Sequence, residues 1–92
     1  MDQAIVRESA VFRGRVQGVG FRATCRAIAG DLGLTGWVRN EAYGTVACEV
    51  QGLSDAVESF YSGVADTTWG RVDAVTRHDT GTVEGEAGFV IR

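Results

Sequence analysis

Ninety-two residues, 45% apolar and 23% charged, suffice for one domain spanning 1–92 and leave no room for a second. The net charge of −3 argues against the basic domain that broad nucleic-acid binding requires, and the apolar runs are too short to cross a bilayer. Residues 1–9 do not read as a signal peptide, and two cysteines are too few for a disulfide framework, so the expected setting is the reducing cytoplasm.

The first strand is expected over Ile5–Val16, with Ala10, Phe12, Gly14 and Val16 on one face and Val11, Arg13 and Arg15 on the other. A glycine-bearing turn, Gln17-Gly18-Val19-Gly20, follows at once. Phe21, Cys25, Ile28 and Leu32 then recur at helical spacing, which predicts a helix over Phe21–Leu32 with Gly33 as its stop. A second strand covers Thr35–Asn40, and Glu41-Ala42-Tyr43-Gly44 turns the chain into a third, Thr45–Gln51. Ser54 is a suitable N-cap for a second helix, with Asp55 and Glu58 in its first turn and Val57, Phe60, Tyr61 and Val64 as its apolar stripe. A fourth strand is expected over Arg71–His78, and Phe89-Val90-Ile91 can add a short last one.

The order β-α-β-β-α-β, with short connections and right-handed crossovers, predicts an α+β ferredoxin-like sandwich: an antiparallel sheet with two helices on one face. Strands one and two then run the same way with strand three between them. Their C-terminal ends share an edge, which brings the Gln17–Phe21 loop and Asn40 within two strand spacings, on the order of 10 Å.

Charge is uneven along the chain. Residues 7–26 carry Arg7, Arg13, Arg15, Arg22 and Arg26 against Glu8 alone, while residues 41–92 carry nine acids against three arginines. A local arginine cluster in an acidic protein suits a small anion bound at one spot, although Arg13 and Arg15 read equally well as a solvated strand face.

The loop offers a place for that anion. The first amides of a helix lack intrahelical partners, the dipole favours negative charge there, and glycine lets successive N–H groups turn inward. Arg22 in the first turn is locally unfavourable by about 0.3–1 kcal/mol. A bound phosphate offsets that cost, because a guanidinium grips two of its oxygens. The alternative is a surface arginine that tolerates the dipole. Neither the P-loop pattern nor G-x-G-x-x-G is present, so a nucleotide fold is not indicated. Asn40 precedes a turn, where asparagine is common for backbone reasons alone.

Gly14-Arg15-Val16-Gln17-Gly18-Val19-Gly20-Phe21-Arg22 resembles the first signature of the acylphosphatases. Gly36-Trp37-Val38-Arg39-Asn40, followed by Gly44, Val46 and Gly52, resembles the second. The resemblance covers nearly the whole chain, including the closing Phe89-Val90-Ile91-Arg92. The family often carries a proline after the second helix where this chain has Thr68-Trp69-Gly70, a departure that bears on the local turn.

The resemblance implies hydrolysis of acyl phosphates, the mixed anhydrides of carboxylic and phosphoric acids, to carboxylate and inorganic phosphate, with no metal and no cofactor. It implies that Arg22 binds the phosphoryl group beside the backbone amides of Gln17, Gly18, Val19, Gly20, Phe21 and Arg22, and that Asn40 positions the attacking water. A monomer without nucleic-acid or membrane partners is expected. The competing expectation is a non-catalytic ferredoxin-like module that binds an anion or metabolite. An RNA-binding version is disfavoured, since the third strand has no aromatic residue for base stacking. Cys25 and Cys48 fall on apolar faces as core residues, His78 reads as a surface residue, and Trp37 and Trp69 as packing residues, with Trp37 able to rim the site.

Overall fold

The computed structural model describes residues 4–66 and 70–92. Seven elements follow in the expected order: β1 (Ile5–Arg15), α1 (Phe21–Asp31), β2 (Thr35–Asn40), β3 (Val46–Leu53), α2 (Ser54–Ala65), β4 (Arg71–Thr80) and β5 (Phe89–Ile91). The sheet order is β4-β1-β3-β2-β5. The first four strands pair antiparallel, whereas β5 lies parallel to β2 and makes the sheet mixed at that edge. The α+β sandwich expected from the sequence is present, with β5 as a real fifth strand.

Strand alternation decides which side the helices cover. Ala10, Phe12, Val46, Cys48, Val50, Val38 and Phe89 turn to one face and join Phe21, Cys25 and Ala29 of α1 and Val57, Phe60, Tyr61 and Val64 of α2 in one buried cluster. Phe12 meets Phe21 edge-on at 5.2 Å between centroids, and Phe60 contacts the rings of Tyr61 and Phe89. Full burial of each such side chain contributes about 1.5–3 kcal/mol. Because Phe12 and Phe21 flank residues 14–20, this contact anchors both ends of the loop on the core.

The opposite sheet face is covered in part. The glycine-bearing segment 81–88 crosses it, held by reciprocal bonds between Val83 and the Gln51 carboxamide and by the Gly36 amide donating to the Gly88 carbonyl at 3.1 Å. Beneath it Arg7 is only 3% exposed. Its guanidinium donates to Glu49 at 2.7 Å, to Glu86 at 2.8 and 3.2 Å, and to the Gln51 side chain at 3.1 Å. The Arg7 bond holds the Glu86 carboxyl below the usual carboxylate range.

Two expectations change. Ser54 is the first residue of α2 and Leu53 its N-cap, with no capping side chain. The reason is that β3 runs on to Leu53 and the Ser54 amide pairs with the Ala4 carbonyl at 3.1 Å. Arg7 does not belong to an anion-binding cluster, since two carboxylates already hold it on the far sheet face. The region of Thr68 and Trp69 lies outside the described residues. Among the described residues no helix is long and apolar enough to cross a membrane.

Candidate active site

Val46 at the start of β3 is the cross-strand partner of Phe12 on one side and of Asn40 on the other. That double register fixes the ends of β1 and β2 at the same edge of the sheet. Beyond Phe12, β1 continues to Arg15 beside β4 and then releases the chain into residues 16–20. Val16 drops into the core at 1% exposure and fixes the base of the loop.

Gly18 and Gly20 then adopt φ of 73° and 76°, the left-handed region where a side chain is strained. Gly20 is the N-cap of α1 and supplies no side-chain bond, and the first turn contains no acid. The first bond of the helix runs from the Thr24 amide to the Gly20 carbonyl at 3.0 Å. The preceding amides and the dipole therefore point toward the loop with no capping side chain at Gly20 and no acid in the first turn.

A cavity of about 180 Å³ opens here, lined by Val16, Gly18, Gly20, Phe21, Arg22, Ala23 and Ile91. Its lining is chemically mixed. Glycines and Arg22 contribute to the lining together with the apolar Val16, Phe21 and Ile91. Ile91 was not foreseen from the sequence: it arrives because β5 pairs with β2 at Val38, which carries its C-terminal end to the loop.

Arg22 stands apart from the other arginines. Three of the nine are buried or half-buried: Arg7, Arg22 and Arg77. Arg7 pairs with Glu49 and Glu86, and Arg77 with Glu8 and Glu58. Among the described residues Arg22 has no ion-pair partner. Arg13, Arg15 and Arg26 are exposed and do not line the cavity. Of the five arginines in residues 7–26, one faces the loop's cavity.

Of the residues named from the sequence, Gly18, Gly20, Phe21 and Arg22 line the cavity, while Gln17 and Val19 sit half-buried in the same loop. Asn40 does not line the cavity; it is exposed at the last position of β2. The chain ties that position to the loop. The Gln17 carboxamide donates two hydrogen bonds of 2.8 Å, to the Glu41 and Thr45 carbonyls that bracket the turn after Asn40. The Glu41 amide closes the same turn on the Thr45 carbonyl at 2.8 Å.

Matches with known proteins cover this whole assembly. The family model described as Acylphosphatase matches residues 8–91. The chain belongs to the acylphosphatase family. It is 42% identical over 87 residues to an acylphosphatase of Salinibacter ruber, covering 94% of this chain and 92% of that one. Against an acylphosphatase of Clostridium beijerinckii it is 39% identical over 89 residues, 96% and 99% of the two chains. The crystal structure of acylphosphatase from Bacillus subtilis superposes with a TM-score of 0.88 at 30% identity, covering 97% of this chain and 99% of that one. As a member of the family it is a hydrolase that acts on small acyl phosphates and releases phosphate. The competing expectation of a non-catalytic module gives way to this membership.

The remaining candidates fall into packing roles. Trp37 is 8% exposed and its ring is approached by two guanidiniums, Arg39 at 4.8 Å and Arg92 at 5.0 Å. It packs there and is not a lining residue of the cavity. Cys25 and Cys48 are buried on the helix and sheet sides of the core. Burial pushes the Cys25 thiol up to about 12 and raises that of Cys48 as well, so neither is a ready nucleophile. Among the described residues no group of three or more His, Cys, Asp or Glu has the arrangement of a metal site.

Proposed function

We propose that Arg22 and the amides of residues 17–22 hold the phosphoryl group of the acyl phosphate while Asn40 orients the attacking water. The observation that carries this reading is the half-buried Arg22, unpaired among the described residues, in the acid-free first turn of α1. Its position opposes the dipole unless an anion joins it, and such a broken local rule marks function.

The chemistry needs little more. The leaving carboxylate requires no strong general acid, and phosphoryl transfer proceeds through positioning and stabilisation of the equatorial oxygens. Water oxygen forms the new P–O bond as the bond to the acyl oxygen breaks, and the electron pair leaves on the carboxylate. The carboxamide of Asn40 is not basic enough to take the water's proton, which passes to a phosphoryl oxygen of the substrate. Arg22 and the loop amides supply the charge stabilisation that a metal gives elsewhere, so the reaction is metal-independent in this reading.

We further infer that residues 1–92 act as a single domain, a cytoplasmic monomer without nucleic-acid or membrane partners, in keeping with the net charge of −3 and two free cysteines. Hydrolysis of benzoyl phosphate in the presence of a chelator tests the core of the proposal. Turnover is expected to persist; its loss under chelation defeats the metal-independent reading.

A further inference from the structure

The loop and the turn after Asn40 belong to different supersecondary units, and the register that aligns the strand ends does not itself hold the loop against that turn. Asn40 is the last residue of β2, and the turn that follows it at 42–44 includes Tyr43 at φ 67°, fully exposed. A non-glycine residue there stores strain that the surroundings must hold in place. The two hydrogen bonds from Gln17 tie both ends of that turn to the loop.

Their chemistry is specific. The end of the Gln17 side chain facing two carbonyl oxygens must be its NH2, which donates two hydrogens, and both are used at 2.8 Å. The acceptors, Glu41 and Thr45, stand at the two ends of the turn, and Thr45 also receives the Glu41 amide. No other residue type of this size presents two donors without a charge. The bonds span 24 and 28 positions of sequence, so they join the loop to the turn and not merely the loop to itself.

We propose that the Gln17 side chain is a positioning residue for hydrolysis, setting Asn40 at the distance from the phosphate loop at which its water attacks in line. Its backbone serves the phosphoryl group, and its side chain serves the water. The inference rests on the reading of Asn40 given above and assigns Gln17 no contact with substrate.

A double-mutant cycle with Gln17→Met and Asn40→Ala tests it, using benzoyl phosphate for turnover and inorganic phosphate as competitive inhibitor. Met keeps the volume and removes both donors. In Q17M, kcat is expected to fall about 10–100-fold while the inhibition constant of phosphate stays within about threefold, since misplacement of a reacting group by an ångström costs that much. In the double variant kcat should fall no further than in N40A, the sign of two residues acting through one step.

Unchanged kcat in Q17M overturns the proposal. A parallel loss of phosphate affinity overturns it too, by placing the side chain in the phosphate cradle. Additive losses in the cycle show that Gln17 does not act through Asn40. Wild-type kcat in N40A defeats the reading of Asn40 itself, and is distinguishable because it does not depend on Q17M. Should Q17M fail to fold, Gln17→Glu serves instead: its carboxylate repels both carbonyls when ionised and donates one bond when protonated. The ratio of its kcat to wild type should rise as pH falls through the carboxylate range, and a flat ratio overturns the proposal.

Discussion

Arg22→Lys separates charge from geometry at the phosphate loop. The substitution leaves the positive charge, the Gly18 and Gly20 conformations and the first-turn amides of α1 in place. It removes the planar fork. Two charge-assisted bonds from the guanidinium to phosphoryl oxygens contribute about 1.5–3 kcal/mol each when shielded from water. The half-burial of Arg22 in the cavity wall gives partial shielding, so the lower end of that range applies. A shorter reach and a single contact direction forfeit one bond fully, about 10-fold in rate. Misplacement of the bond that survives raises the loss to about 10²–10³-fold in kcat/KM.

The assay is hydrolysis of benzoyl phosphate under single-enzyme conditions, with phosphate inhibition measured in parallel. A companion variant, Arg22→Gln, relieves the cation at the dipole and should stabilise the fold by about 0.3–1 kcal/mol in urea while losing activity. Activity of R22K within about threefold of wild type refutes the fork. A destabilised R22Q refutes the assignment in another way, by making Arg22 a packing residue.

Asn40→Ala should lower kcat by about 10²-fold, with the inhibition constant of phosphate little changed; collapse of phosphate binding would instead make Asn40 a ligand contact. Glu41 follows Asn40 and pairs with Arg39 at 3.1 Å. If the substrate's own phosphate accepts the water's proton, Glu41→Gln keeps kcat within about threefold, and abolished turnover would make that carboxylate the base. On the far sheet face, Glu86→Gln should cost about 1–3 kcal/mol at pH 7, because it weakens a charged bond to a buried arginine. Glu86 ionises more readily folded than unfolded, so its contribution is present above its ordinary value of 4.5 and fades as pH falls through the lower folded value. Urea midpoints of wild type and E86Q should therefore converge on acidification, and parallel curves would exclude the Arg7–Glu86 linkage.

Much of this molecule is legible without coordinates. The alternation of Ala10, Phe12 and Val16 and the stripe of Val57, Phe60, Tyr61 and Val64 are local periodicities, and each of those residues lies in the core. The loop is likewise written locally, in Gly18 and Gly20 followed at once by a helix, with Arg22 out of keeping with its dipole. Strand directions alone brought Asn40 to the same edge. What the sequence left open depends on partners far along the chain. Arg7 looks like one more cation of a cluster until Glu86, 79 positions away, is laid over it by residues 81–88.

Ser54 has the side chain of a cap, but β3 extends to Leu53 and moves the helix start by one residue. Ile91 joins the cavity only because β5 adds to the edge beside β2. Gln17 is one polar residue of a turn by sequence; by structure it holds two carbonyls 24 and 28 residues on. Periodicity and turn chemistry act within a few residues and are set by the sequence itself. Register and long-range hydrogen bonds form only when the core closes, and the tertiary structure alone decides them.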